Sequence, residues 1–151
     1  MEKQIIIGSD HGGFDLKEQL KAILEEKSYQ VSDAGCYDTS SVNYPDIARK
    51  VSMSIANGEF NRGILVCGTG IGMSIAANRI PNIRATLCHD HFTAKMSREH
   101  NNSNVLVLGG RVLGVEIANE ILDTWLNTDF SGGRHQMRCE LIDEKSAGTN
   151  N

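Results

Sequence analysis

The sequence predicts an α/β protein: a three-layer α/β/α sandwich with a Rossmann-like five-stranded parallel sheet and an extra helical tail at the C-terminus. Three observations carry this. Short continuous apolar runs recur five times, each is followed by apolar residues at helical spacing, and glycine clusters close several of the runs. Strands that are apolar throughout belong to a parallel sheet covered on both faces by helices.

The first run, QIIIG (4–8), leads into FDLKEQLKAILEEK, where Phe14, Leu16, Leu20, Ile23 and Leu24 recur at helical spacing. QVSDAG (30–35) precedes a helix from about Tyr44 to Asn57. GILVCG (63–68) precedes a helix over 71–79, and IRATLC (83–88) one over 90–99. NVLVLGG (104–110) precedes GVEIANEILDTWL, whose Trp125 and neighbouring leucines read as core or interface. The segment 128–145, TDFSGGRHQMRCELIDEK, breaks this rhythm. Residues 1–143 are read as one domain and 144–151 as a disordered tail, in line with a length of 151 residues that allows one real core.

Composition excludes several classes of function. A formal net charge of −4 and a pI near 5.7 give no global attraction to nucleic acid or to an anionic membrane, so neither partner is expected and a phosphate site must be local. There is no run of about twenty apolar residues. The start, MEKQIIIG, passes directly into a strand pattern without a signal-peptide core, and a soluble cytoplasmic protein is expected. Cys36, Cys67, Cys88 and Cys139 are scattered and form no CxxC, which suits reduced thiols better than a disulfide frame or a zinc ribbon.

Ligands of such sheets bind at the strand C-termini. Four unusual stretches fall there: GSDHGG (8–13), CGTGIG (67–72), CHDHF (88–92) and GGR (109–111). Cys67 ends a core strand, where a cysteine is by default a small buried apolar residue. Gly68, Gly70 and Gly72 add a second reading. They allow backbone N–H groups to converge beside the start of a helix as an anion site, and a thiol facing that site is activated. The loop lacks the third glycine of a dinucleotide fingerprint, the lysine of a P-loop and the arginine of a cysteine-phosphatase loop; Met73 stands where the last glycine or that arginine belongs. An anion cradle without its own cation suits a transient oxyanion.

The other candidates each have two readings. Asp10 is either a helix cap or a carboxylate that orients hydroxyls, with His11 exposed or on an anion. His100 either interacts with a helix C-terminus or works as an acid/base near neutrality, beside Asn101. Arg111, after two glycines at a strand end, is better placed for a ligand than for solvent. Arg134 and Arg138 are four apart, so on one face if helical; they are solvated or form a phosphate clamp with Arg111 nearby. Cys88, His89, Asp90 and His91 are adjacent and so project in different directions; no metal is expected there, and Asp90 reads as a helix cap.

The motifs GSDHGG, NYPDIA (43–48), CGTGIGMSIAANR (67–79), SREHNNSNVLVLG (97–109) and GGRHQMR (132–138), in this order, resemble type B ribose-5-phosphate isomerases. Their sugar-phosphate isomerase family also holds galactose-6-phosphate and allose-6-phosphate isomerases. The resemblance covers about residues 4–143. It implies aldose–ketose isomerisation of ribose 5-phosphate and ribulose 5-phosphate through an enediol, without metal or organic cofactor. It also implies a homodimer, or a dimer of dimers, with active sites at the interface.

Carried over by resemblance, Cys67 is the base that moves the proton between C2 and C1. Gly68, Thr69, Gly70, Ile71 and Gly72 stabilise the enediolate, with Thr69 and His100 as the further catalytic residues and His100 opening the furanose ring. Asp10 and Asn101 hold hydroxyls. His11, Arg111, Arg134 and Arg138 meet the phosphate, some of them from the partner chain. One branch of the family uses a glutamate just after the glycine loop, where this chain has Met73. Ser9 and Asn43 also depart from the residues usual at their places. A hexose-phosphate isomerase, or a non-catalytic sugar-phosphate binding module on the same fold, are the alternatives.

Overall fold

The computed structural model describes residues 3–147. Five βα units follow one another: β1 (Gln4–Ser9) and α1 (Phe14–Glu26), β2 (Gln30–Asp33) and α2 (Tyr44–Ala56), β3 (Gly63–Cys67) and α3 (Ile71–Ala77), β4 (Ala85–Leu87) and α4 (His91–Asn101), β5 (Val105–Gly109) and α5 (Val115–Asn127). A last helix, α6, spans Arg134–Ala147. All strand pairs are parallel and the order is β2-β1-β3-β5-β4.

The two faces of the sheet are written in the strands with period two. Ile5 and Ile7, Ile64 and Val66, Leu106 and Leu108 pack with Leu16, Leu20 and Leu24 of α1, Ala94 of α4, and Ile121, Leu122 and Trp125 of α5. Ile6, Leu65, Cys67, Val105 and Val107 turn the other way, against Ala48, Val51 and Ile55 of α2 and Met73 and Ala77 of α3. The helices fall on these faces as right-handed crossovers require, since β1→β2 and β4→β5 step one way along the sheet and β2→β3 and β3→β4 the other. The strand order reverses between β1 and β3. Their following segments leave to opposite faces, and the crevice this opens lies beyond Ser9 and Cys67.

Around Trp125 the polar groups of the core are paired, whereas Ser52 Oγ of α2 and Asn119 Oδ1 of α5 are buried without a hydrogen-bond partner among the described residues. The wholly buried Trp125 donates from Nε1 to Ser103 Oγ at 3.2 Å, and the Arg62 and Arg98 guanidiniums lie 5.3 and 5.8 Å from its ring. Arg62 Nη1 donates to Leu126 O (2.8 Å) and Arg98 Nε to Thr128 O (3.2 Å), which ties down the C-terminal end of α5. Burial first, and the Arg62 charge second, push the Arg98 guanidinium down to about 10.

Several boundaries differ from the sequence reading by a residue or two, and three of the differences are informative. β2 stops at Asp33, not at 35, because the chain turns out of the sheet at Gly35 with φ +104°. β4 is shorter than 83–88; it lies at the sheet edge, where Asn78 pairs with Ala85 as a strand would, Nδ2 to Ala85 O at 2.9 Å and Ala85 N to Oδ1 at 2.8 Å. Helix α6 runs to Ala147, into the segment 144–151 read as a tail; residues 148–151 lie outside the described residues. The helix is anchored on α4 by the buried Cys139 and by Arg84, whose Nη1 reaches Asp143 Oδ2 at 2.8 Å.

Candidate active site

Three loops close on one another at the C-terminal edge of the sheet. Asp10 N–H donates to Val66 O (3.2 Å), Gly110 N–H to Cys67 O (2.8 Å) and Arg111 N–H to Gly68 O (2.9 Å). The approach is backbone on backbone: a Cβ on Gly13 would stand 2.5 Å from the carbonyl carbon and oxygen of Val66. This is why GSDHGG and GGR carry paired glycines. Cys67, Asp10, His11 and Arg111 are thereby gathered at the crevice between β1 and β3.

Cys67 is 5% exposed, and Gly70 N–H donates to its Sγ at 3.0 Å. The thiol is thus both of the expected things, a core residue on the α2/α3 face and an atom held against the glycine loop. Gly70 turns the loop with φ +81°, and Thr69 Oγ1 accepts the Ile71 N–H at 3.2 Å. The N–H groups of Gly68 and Gly72 have no partner among the described residues, so the loop retains unpaired donors beside the sulfur. Helix α3 has only seven residues, so an anion at this loop would meet these donors rather than a long aligned dipole. Met73, at the place of the alternative glutamate, is wholly buried in the core.

A methyl group at Gly70 would meet Leu87 Cδ1 at 2.5 Å and the Leu108 carbonyl at 3.1 to 3.2 Å, in a backbone region that side chains rarely adopt. Gly70→Ala is expected to displace the loop, break the N–H to Sγ contact and lower kcat about 10²-fold, as misplacement by an ångström does in general. Steady-state assay of the purified variant checks this.

Asp10 is the cap that sequence allows: its Oδ1 takes Gly13 N–H at 3.1 Å in the single 3-10 turn His11–Gly13. Oδ2 has no bond within the chain among the described residues. His11 is held by the loop after β2, since Val42 N–H donates to its Nδ1 at 3.3 Å, and Nε2 is then the nitrogen left for a ligand. Asp90 caps α4 through Thr93 N–H at 2.7 Å. Among the described residues no three His, Cys, Asp or Glu side chains are grouped as a metal site.

The remaining candidates stand elsewhere. Helix α4 starts at the C-terminal edge and runs back, so that Asn101 O meets Arg84 Nε at 2.9 Å, next to the first residue of β4. His100 and Asn101 therefore lie at the N-terminal edge, about 13 Å or more from Cys67 along four residue steps of strand. Arg98 fixes this last turn of α4, with Nη1 on Asn102 Oδ1 at 3.0 Å. Arg134 and Arg138, both exposed, begin α6 beside it. The clamp expected from Arg134, Arg138 and Arg111 is thus not formed within one chain: Arg111 belongs to the Cys67 edge, where its Nη1 lies 3.5 Å from a Cβ built on Gly68.

One residue of this second cluster escaped the sequence reading. His135 stacks on His100, with ring centroids 4.2 Å apart and planes 11° apart. Desolvation first, then the charges of His100, Arg134 and Arg138, hold His135 below the ordinary histidine range. The signal was in the motif GGRHQMR itself, between the two arginines, but its partner is 35 positions earlier on another helix.

Comparison with known proteins agrees with this geometry. A family model described as ribose/galactose isomerase matches residues 5–142. The chain is 46% identical over 140 residues to ribose-5-phosphate isomerase B of Escherichia coli, covering 93% of this chain and 94% of that one. Among solved structures, ribose-5-phosphate isomerase B of Clostridium thermocellum superposes with a TM-score of 0.94 at 49% identity, over 95% and 97% of the two chains. That of Thermotoga maritima gives 0.93 at 52% identity, over 95% and 99%. The five-stranded parallel sheet, the glycine loops that close on Cys67 and the match along nearly the whole chain have one reading: the chain belongs to the ribose/galactose isomerase family.

Proposed function

We propose that this chain interconverts D-ribose 5-phosphate and D-ribulose 5-phosphate, a step of the non-oxidative pentose phosphate pathway, as a homodimer with two shared active sites. The observation that carries the reading is Cys67 Sγ fixed by Gly70 N–H at the mouth of a loop with unpaired donors. An aldose–ketose isomerisation needs one base that serves two adjacent carbons and an anion site beside it. The Cys67 thiolate takes the proton from C2, the C1 oxygen becomes the enediolate held by N–H groups of residues 68–72 and by Thr69, and the same sulfur returns the proton to C1 as the O2 hydroxyl proton passes to O1, leaving the C2 ketone. Asp10 holds a hydroxyl, and His11 and Arg111 meet the phosphate.

The dimer is supported by the division of the constellation. His100, which opens the ring, Asn101, which holds a hydroxyl, and the phosphate-binding Arg134 and Arg138 stand at the opposite edge from Cys67. A two-fold axis sets one chain's α4/α6 end against its partner's glycine loop, and does so twice. Ile71 and Ile75 (55% and 57% exposed) and Tyr44 give apolar surface beside that loop for the contact. A cytoplasmic location is supported by four unpaired cysteines and by the lack of any helix, among the described residues, long and apolar enough to cross a membrane.

Kinetics on ribose 5-phosphate, allose 6-phosphate and galactose 6-phosphate test the reading. The pentose phosphate is expected to give the highest kcat/KM, unchanged by a chelator. A hexose phosphate turned over faster would move the assignment to the hexose branch, and turnover abolished by the chelator would contradict a metal-free reaction.

A further inference from the structure

Lys17 is wholly buried, which is rare for an ammonium, and the chemistry above does not use it. Its Nζ donates to Asp33 Oδ2 at 2.6 Å and lies 3.0 Å from Glu18 Oε1. Lys21 Nζ reaches the same Asp33 oxygen, also at 2.6 Å. Two ammoniums and two carboxylates make a neutral group at the end of β2, and their pull outweighs burial in holding the Asp33 carboxyl below its usual range.

The other oxygen of Asp33 has a different task. Oδ1 accepts Gly35 N–H at 2.9 Å, where the chain turns out of the sheet. Gly35 O takes Ser9 N–H and Cys36 N–H donates to Ser9 O, both at 2.6 Å, so the turn is laced to the residue before Asp10. Tyr37 OH donates to Asp33 O at 3.1 Å, and its ring lies 5.7 Å from Lys17 Nζ. From this anchored end the segment continues to Val42, whose N–H donates to His11 Nδ1.

We infer that Lys17 is a positioning residue: by fixing Asp33 it anchors the segment 34–42, and through Val42 N–H it sets the tautomer and orientation of His11, and so the site's grip on the sugar phosphate. The kinetic consequence rests on the phosphate role of His11 proposed above; the structural one does not. Lys17→Met keeps the unbranched buried stem and removes the ammonium, while Lys21 still neutralises Asp33.

Relative to the parent, K17M is expected to raise KM for ribose 5-phosphate and the inhibition constant of inorganic phosphate each about tenfold, with kcat within about twofold, as for loss of one charge-assisted contact. His11→Ala raises the same two constants, and K17M added to it gives no further rise, because the two residues act through one contact. In 15N-histidine-labelled protein, the Nδ1 and Nε2 shifts of His11 move in K17M. If K17M does not fold, K17Q, which leaves an uncharged donor at the site, is measured in its place. Unchanged KM beside an H11A variant that is affected, or effects of the two substitutions that multiply, would overturn the inference. If H11A itself leaves KM and phosphate inhibition unaltered, the phosphate role of His11 fails instead; shifted His11 nitrogens in K17M then still support the positioning, and unshifted ones overturn it.

Discussion

Replacing Cys67 by alanine is expected to lower kcat for ribose 5-phosphate by about 10²–10⁴-fold, the range of a positioned acid–base group. Within the loop itself, residues 67–73, no second basic side chain stands beside the sulfur: Met73 is buried in the core, and the Thr69 hydroxyl accepts the Ile71 N–H. The fold and the residues proposed to bind phosphate are untouched, so the inhibition constant of inorganic phosphate is expected to stay within about twofold, a loss confined to the transition state. Cys67→Ser keeps an acceptor for Gly70 N–H but offers an alcohol in place of an acidic thiol, and is expected to be as inactive as the alanine variant. Steady-state kinetics with a circular dichroism check of folding measures both.

The second large effect is a gain of activity. A Cys67→Ala chain and an Arg134→Ala/Arg138→Ala chain are each expected to be inactive alone. If the sites are shared in a dimer as proposed, a mixed pair carries one site with both lesions and one with neither. After unfolding and refolding the two together in equal amounts, half the dimers are mixed, and activity is expected to return to about a quarter of the parent's, as isologous symmetry dictates. Sites complete within one chain would give no recovery. The geometry favours recovery, because the two residue groups lie at opposite edges of one sheet, joined by the length of β4 and α4.

Where burial is continuous along the strands, the sequence showed the fold. Ile5 to Ile7, Ile64 to Cys67 and Val105 to Leu108 are apolar throughout, since helices cover both faces, and this continuity is visible without coordinates. Polar anchors are not. Asp33, the last residue of β2, is held by two lysines of α1, and Asn78 pairs with Ala85 beside β4; each depends on residues distant in sequence or on a side chain acting as backbone. Helix α6 gave little periodic signal because it is exposed nearly all round, with Cys139 its one buried residue among those described.

The site was legible in proportion to its glycines. Loops at strand ends must approach one another closely, and GSDHGG, CGTGIG and GGR announce this locally. The second half of the constellation carries no such mark. Nothing in GGRHQMR tells that His135 stacks on His100, or that both stand a strand's length from Cys67 in the same chain. That separation is topological: α4 carries its last turn back to the opposite edge of the sheet.

The proton transfer assigned to Cys67 is most directly tested in D2O. Ribose 5-phosphate incubated with the parent protein is expected to acquire solvent deuterium at the carbons that share the enediolate, read by NMR of the recovered sugar phosphates. The Cys67→Ala protein, folded and still inhibited by phosphate, is expected to leave them unlabelled over the same time. Deuterium entering at the parental rate in that variant would contradict the account.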